Sequence, residues 1–330
     1  MRRSAFERLE SRVREVIIET ADDGKRLDRW IKTAVPGLPV SLLQKYLRLK
    51  RVKLNGKPAK ADDRVKAGDC VRLFVEDEYF APRKKPDALL SGFHPHVSVV
   101  YEDENILLAD KQPGLICHPD ENEKVNTLLT HVRAYLYQKG EGSAHGGFMP
   151  VLVNRIDRFT GGIVICAKTE EAMRVLNEKI RSRELEKRYL CAIEGEMRPA
   201  QGRIDNYILK SQGHSRVKAL SEDAPGAQRA ETLYRTLARE NGKSLLECTL
   251  ITGRTHQIRA QLAGAGHPLI GDTQYGKTDG SGEKYQALYS YRLDFRFTSD
   301  AGALNALNGK TFRVKTVPFV KRLFPDYRWE

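Results

Sequence analysis

The run Asn154-Arg155-Ile156-Asp157-Arg158-Phe159-Thr160-Gly161-Gly162 holds one carboxylate between two guanidinium side chains and closes on two glycines. Apolar Val151-Leu152-Val153 leads into it and Ile163-Val164-Ile165-Cys166-Ala167 follows, so the spacing predicts strand, polar loop, strand, with Asp157 at the loop tip. Paired glycines suit backbone positions with positive φ, which lets such a loop fold back tightly. An acid flanked by cations is biased towards its ionised form, and a carboxylate in that form suits a nucleophile or a base better than a proton donor. Well downstream, Thr252-Gly253-Arg254-Thr255-His256-Gln257-Ile258-Arg259 offers further cations and an imidazole.

Together the two segments resemble the signatures of the RluA-type pseudouridine synthases, H-R-L-D-x-x-T-S-G and T-G-R-T-H-Q-I/L-R. Asn154 stands for His, Ile156 for Leu and Gly161 for Ser; the acid, the arginine two residues before it and the last arginine of the second motif are all present. The change at Asn154 bears on the support of the loop. Two more pieces fall in order. Asp110-Lys111-Gln112-Pro113-Gly114-Leu115 resembles the family's N-K-P-x-G-L, and Lys187-Arg188-Tyr189-Leu190-Cys191-Ala192-Ile193-Glu194-Gly195 resembles its K-x-Y-x-A-x-V-x-G.

The resemblance implies isomerisation of uridine to pseudouridine in structured RNA, with large-subunit (23S) ribosomal RNA favoured. It makes Asp157 the catalytic residue and Arg259 its ion-pair partner. Tyr189 takes the place of the tyrosine that stacks on the target base and helps remove the C5 proton, and Lys187-Arg188 before it predict a strand edge that a ligand can reach. Arg155 matches the arginine that enters the RNA helix where the nucleotide has left. The reaction breaks the N1–C1′ bond, rotates the uracil and bonds C5 to C1′. The base stays at the redox level of uracil, so no redox cofactor and no metal are expected. One carboxylate suffices, as a nucleophile at C1′ or a base at C2′, and both routes stay open. A base in a stem cannot reach a pocket without extrusion, and a guanidinium that both stacks and hydrogen-bonds suits the vacated place. The alternative is a non-catalytic RNA-binding or ribosome-assembly factor using the same basic surfaces; the presence of Asp157, Tyr189 and Arg259 favours the enzyme. A hydrolase that removed the base through the same pocket would release free uracil.

Other chemistries fit less well. Gly271-Asp272-Thr273-Gln274-Tyr275-Gly276-Lys277-Thr278 satisfies a phosphate-loop pattern, but Asp279-Gly280-Ser281-Gly282 after it will not start the helix that such a loop needs. The same stretch resembles the family's G-H-P-x-x-G-D-x-x-Y-G. His94 and His96 flank a proline without a third ligand nearby and read as linker histidines. His256 is expected to make structural hydrogen bonds. No G-x-S-x-G elbow occurs. The five cysteines are scattered without a C-x-x-C pair, which points away from zinc and disulfides; Cys70, Cys166, Cys191 and Cys248 are expected to be reduced core residues.

The 330 residues allow one large and one small domain, and a formal charge of +13 points to a polyanionic partner. The charge is clustered: Lys25 to Arg72 holds 14 Lys and Arg against 4 Asp. Within that stretch a short helix beginning at Arg26-Leu27-Asp28-Arg29-Trp30-Ile31, a second helix capped by Ser41 and running through Leu49, and a basic hairpin turning at Asn55-Gly56 are expected. They resemble the small RNA-binding domain first seen in a ribosomal small-subunit protein, with Lys45, Arg48, Lys50, Arg51 and Lys53 as candidate RNA contacts. The expected order is an extension (1–23), this domain (24–77), a proline-rich linker (78–95) and a catalytic domain (96–330). Strand-like runs at 97–101, 106–110, 151–153, 163–167, 189–193, 232–237, 244–250 and 311–314, with a helix at 170–181, predict an α+β fold on a mixed, mainly antiparallel sheet. Residues 140–147 are expected to form a mobile glycine-rich loop. No apolar stretch of about eighteen residues occurs and no apolar run follows Met1-Arg2-Arg3-Ser4, so a cytoplasmic monomer with no membrane partner is expected.

Overall fold

A computed structural model of the chain describes residues 13–35, 37–38, 40–75, 79–80, 90, 92–141, 148–210, 216–276 and 282–328. Most of the expected linker, and residues 142–147 of the glycine-rich stretch, lie outside the described residues. The chain divides into two compact units, Met1–Leu89 and Leu90–Glu330.

In the smaller unit four antiparallel strands, β1 (Val13–Ile17), β2 (Val52–Leu54), β3 (Lys57–Pro58) and β4 (Cys70–Phe74), lie in the order β1-β4-β2-β3. The pairing of β1 with β4 draws part of the expected extension into this unit. Helix α1 (Leu27–Ala34) buries Leu27, Trp30 and Ile31, the i, i+3, i+4 spacing of one helical face. Helix α2 (Val40–Arg48) begins before Ser41, which therefore lies in the first turn and not at the cap. Asn55 and Gly56 both adopt positive φ, 49° and 81°, the geometry of a tight two-residue hairpin turn. Cys70 opens its strand beside a turn and is only half-buried, against expectation.

The larger unit is built on one eleven-stranded sheet. Its strands are β5 (Ser98–Glu102), β6 (Ile106–Lys111), β7 (Val151–Leu152), β8 (Gly161–Ala167), β9 (Leu185–Glu194), β10 (Gln201–Lys210), β11 (Val217–Leu220), β12 (Gln228–Glu240), β13 (Lys243–Leu250), β14 (Leu288–Phe295) and β15 (Thr311–Arg313). The order is β11-β10-β12-β13-β9-β14-β8-β6-β5, with β15 on β14 and β7 on β8. The β14–β8 contact is parallel and the other recorded pairings are antiparallel, so the sheet is mixed and mainly antiparallel.

Burial on both faces explains the unbroken apolar run of β8. Ile163 and Ile165 face one core layer with Ala172, Val175 and Leu176 of α4 (Glu170–Arg181) and the C-terminal Phe319 and Phe324. Val164 and Cys166 face the other, with Leu128, Val132 and Leu136 of helix α3 (Leu128–Gln138) and Ile258 and Leu262 of helix α5 (Gln257–Gly264). Thr169 caps α4 by accepting from the Ala172 amide at 3.1 Å.

Candidate active site

The residues between β7 and β8 form a loop fixed at each end. Asn154 Oδ1 accepts from the Ile165 amide at 2.7 Å, so the asparagine supplies the support that its difference from the motif put in question. Ile156 is buried, and its carbonyl accepts from Cys117 Sγ at 3.5 Å. The Thr160 amide donates to the Asp157 carbonyl at 3.1 Å and closes the turn that carries the acid. At the loop's end a Cβ on Gly161 would sit 2.2 Å from the Tyr289 ring, and one on Gly162, whose φ is +111°, 2.2 Å from the Ser290 carbonyl. These glycines are required where the loop enters the parallel seam. Tyr289 fills the space that a side chain at position 161 would occupy.

Strand register sets the site's floor. Tyr189 of β9 pairs with Ser290 of β14, Ser290 with Gly162 of β8, and Gly162 with Lys111 of β6. Residues paired this way point to one face of a sheet, here the layer that α5 covers. The Tyr189 hydroxyl bonds to Ser290, and burial pushes its pKa up to about 12, with the Asp157 charge acting the same way. Lys111 is fully buried and donates to the carbonyls of Gln112, Leu115 and Arg158 at 3.0, 2.7 and 3.0 Å. It thereby ties the 111–115 turn to the Asp157 loop, and burial pulls its pKa down to about 8 against the opposing pull of Asp157 and Asp110. The backbone N–H of Gly114, a residue at φ +97°, also donates to the Arg158 carbonyl, at 2.8 Å.

Helix α5 brings Arg259 to the acid. Arg259 Nη1 donates to Asp157 Oδ2 at 3.1 Å, while Nε and Nη2 grip Asp272 at 2.7 and 3.0 Å and Nη2 also reaches Gln274 at 2.8 Å. The guanidinium and Asp272 are 5% and 1% exposed, and the Asp157 side chain is 25% exposed, so one buried cation joins a structural carboxylate to one open to solvent. Burial disfavours the charge on Arg259, but Asp272 and Asp157 outweigh it and hold the guanidinium above its ordinary value. Asp272 also accepts from the amides of Gln274 and Tyr275, at 3.1 and 3.3 Å. Among the described residues no donor reaches Asp157 Oδ1.

The structure thus brings Asp157, Tyr189 and Arg259 to one place and corrects two expectations. Neighbours in sequence do not hold the acid: Arg158 donates to the Gly114 carbonyl at 3.1 Å, and Arg155 is exposed with no carboxylate partner among the described residues. Tyr189 is not at a sheet edge either, since its strand runs between β13 and β14 and it is buried on the floor. Lys111, Asp272, Gln274 and Tyr275 were missed as site residues, although Lys111 and the Gly271–Gly276 stretch lay inside motif-like runs. Within the phosphate-loop pattern Asp272 is engaged by Arg259, and Lys277 and Thr278 lie outside the described residues. Lys45, Arg48 and Lys50 are exposed in the smaller unit, while Arg51 lies 5.2 Å from the Tyr46 ring and Lys53 5.4 Å from the Phe74 ring. None of the five has a carboxylate partner among the described residues. His96 donates its amide to His131 at 3.0 Å, and no metal-binding cluster occurs among the described residues.

A part-exposed carboxylate held by a buried guanidinium above an aromatic floor, in a chain carrying a separate basic unit, is an arrangement suited to acid–base or nucleophilic chemistry on a nucleic acid. Comparison with known proteins makes the class specific. The model of the RNA pseudouridylate synthase family matches residues 105–264, and that of the S4 domain matches residues 25–71. Ribosomal large subunit pseudouridine synthase C of Escherichia coli is 30% identical over 271 residues, covering 79% of this chain and 80% of that one. The uncharacterized RNA pseudouridine synthase YhcT of Bacillus subtilis is 32% identical over 267 residues, covering 79% and 82%. The solved structure of human RNA pseudouridylate synthase domain containing 4 shares the fold, with a TM-score of 0.54 and 22% identity over 72% of this chain and 95% of that one. The chain belongs to the RNA pseudouridine synthase family, and its reaction is the isomerisation of uridine to pseudouridine in RNA.

Proposed function

We propose that this chain modifies uridines in large-subunit ribosomal RNA and that Asp157 carries the chemistry. The observation that carries the reading is the Arg259 Nη1–Asp157 Oδ2 contact at 3.1 Å, made by a guanidinium whose other edge is locked on buried Asp272. It holds one carboxylate oxygen, and with no donor on Oδ1 among the described residues that oxygen can meet the sugar, at C1′ or at the C2′ proton. Charge-assisted bonds of this kind fix orientation as well as charge. Tyr189 lies beneath as the surface on which the uracil stacks. With its hydroxyl protonated at neutral pH and bonded to Ser290, Tyr189 supports the base and is not itself the acceptor of the C5 proton. Arg155, exposed and without a carboxylate partner among the described residues, fills the place of the extruded nucleotide. The ribosomal target is supported by the name of the Escherichia coli relative and by the cation-rich S4 unit, with Lys45, Arg48, Lys50, Arg51 and Lys53 on the phosphates.

The test is incubation of the protein with protein-free large-subunit RNA, small-subunit RNA and transfer RNA, followed by pseudouridine mapping. New pseudouridine confined to large-subunit RNA is expected. The Asp157→Asn variant is expected to form none while binding RNA within a few fold of wild type. Pseudouridine formed by the pure variant would remove Asp157 from the chemistry; modification of transfer RNA alone would overturn the proposed target.

A further inference from the structure

Asp157 has a second neighbour besides Arg259. His256 Nε2 lies 3.7 Å from the same oxygen, Oδ2. Its other ring nitrogen, Nδ1, lies 2.9 Å from the Tyr275 hydroxyl, and that hydroxyl accepts from the backbone amide of Val217, the first residue of β11, at 2.9 Å. The two rings meet edge to face, with centroids 5.7 Å apart at 89°. His256 immediately precedes α5 in a left-handed backbone conformation, φ 52° and ψ 23°, which a non-glycine residue keeps only where its surroundings enforce it.

The chain of contacts has a direction. A phenol has one proton to give, and with the Val217 amide already pointing at its oxygen the Tyr275 proton is free to go to His256 Nδ1. A neutral imidazole that accepts at Nδ1 carries its own proton on Nε2, which is the nitrogen facing Asp157. Four groups face the ring: Asp157 from the loop, Arg259 from α5, and Asp272 and Tyr275 from the segment after α5. Burial lowers the imidazole pKa below its ordinary value, with Arg259 acting the same way and Asp157 and Asp272 opposing. The ring is therefore neutral at physiological pH.

We propose that Tyr275 and His256 form a positioning relay from β11 to the catalytic acid. The Val217 amide sets the Tyr275 hydroxyl, the hydroxyl sets the tautomer of His256, and the Nε2–H joins Arg259 in holding Oδ2 so that Oδ1 meets the sugar. The 3.7 Å gap exceeds a hydrogen bond in the free protein; it closes when substrate displaces water, as catalytic contacts commonly do. The outlying β10–β11 hairpin thereby belongs to the active site. Ile208 of β10 and Val217 pack with Ala260 of α5 in one small cluster, with Tyr275 against it, so the two strands, the helix and the relay share one packed contact. This inference rests on the reading of Asp157 as the catalytic acid.

The experiment measures kcat and RNA affinity from pH 5 to 9 for wild type, Tyr275→Phe, His256→Gln and His256→Ala, with a thermal melt of each. In Tyr275→Phe, kcat is expected to fall about tenfold, the effect of losing one hydrogen bond from the transition state, with RNA affinity within twofold. Protonation of His256 would draw charge from Oδ2, so wild-type kcat falls on the acid side. Without its hydroxyl partner Nδ1 takes a proton more readily, and the acid limb of Tyr275→Phe moves to higher pH. His256→Gln keeps an amide N–H near the position of Nε2 and cannot titrate; it is expected to retain kcat within about threefold and to lose that limb. His256→Ala is expected to fall at least as far as Tyr275→Phe. Wild-type kcat and pH profile in Tyr275→Phe would overturn the relay, and so would losses that follow melting temperature with the acid limb unmoved. Activity in Asp157→Asn would instead overturn the reading beneath it; an inactive Asp157→Asn beside an unchanged Tyr275→Phe would fell the relay alone.

Discussion

Replacing Arg259 by lysine would keep the charge of the site and remove its geometry. The guanidinium makes four side-chain bonds in two directions, with Nε and Nη2 towards Asp272 and Gln274 and Nη1 towards Asp157. A lysine has three donors on one nitrogen and cannot cover both carboxylates with the planar fork of arginine. It will choose Asp272, which is 1% exposed, because an unpaired buried carboxylate costs several kcal/mol. Asp157, at 25% exposure, can turn to water. The acid then loses one charge-assisted bond of about 1.5–3 kcal/mol. If the transition state needs that bond in full, kcat falls about 10- to 150-fold. The lost bonds to Asp157 and Gln274, discounted for the exposure of Asp157, lower stability by about 2–3 kcal/mol, or about 4–12 °C in Tm for a unit of this size. The assay is single-turnover release of tritium from RNA labelled at C5 of uridine, with enzyme in excess, alongside a binding isotherm. A rate within threefold of wild type would refute the claim that Arg259 orients the acid. A loss confined to RNA affinity would move Arg259 to substrate binding.

Three further outcomes follow from the same geometry. Gly162→Ala places a methyl 2.2 Å from the Ser290 carbonyl at φ +111°, so backbone strain and overpacking of about 1–3 kcal/mol each are expected; a variant that melts with wild type would show that the seam can open. Wild-type stability is expected to rise with pH from about 8 to 10.5, because buried Lys111 releases its proton near 8 while the unfolded chain holds it to the ordinary lysine value. Urea melts of Lys111→Met across that window lack this component, and parallel curves for the two proteins would refute it. Changing Lys45, Arg48, Lys50, Arg51 and Lys53 together to glutamine is expected to reduce the slope of log affinity against log salt by about 0.7–0.9 for each cation that contacts phosphate; an unchanged slope would take these residues out of the RNA interface.

The site was legible where its chemistry is carried by short linear patterns and hidden where it depends on partners brought from elsewhere in the fold. Asp157, Arg259 and Tyr189 stand in recognisable runs. The local inference that Arg155 and Arg158 hold the acid failed because neighbours along a tight loop point in different directions. Arg155 faces solvent and Arg158 turns to Gly114, and the cation that reaches Asp157 comes from 102 residues further on. Tyr189 was placed at an edge because Lys187 and Arg188 precede it, yet those cations belong to a strand flanked on both sides. Asp272 was visible inside a run that matches both a phosphate-loop pattern and the family's G-H-P-x-x-G-D-x-x-Y-G, but neither pattern names Arg259 as its partner.

Missed elements have a common physical cause. Helix α5 is eight residues long and buries Gln257, Arg259 and Gln261 together with Ile258, Ala260 and Leu262, so no polar stripe separates from an apolar one. Its polar side chains are satisfied by β12 and the Asp272 segment: Gln257 reaches the Glu231 carbonyl, Gln261 accepts from Thr232, and Arg259 holds Asp272. Strand β14 likewise buries Ser290 and Asp294 among its tyrosines and leucines, which breaks the apolar run expected of an interior strand. A buried polar residue is tolerated only with a partner in place, and a one-dimensional hydrophobic pattern carries no record of that partner. At the Asp157 site these residues are Arg259, which bonds the acid, Asp272, which braces Arg259, and Lys111, which ties the loop. The part of the sequence that looks least like regular structure is therefore the part whose folding and chemistry depend on the same hydrogen bonds, and Arg259→Lys disturbs both at once.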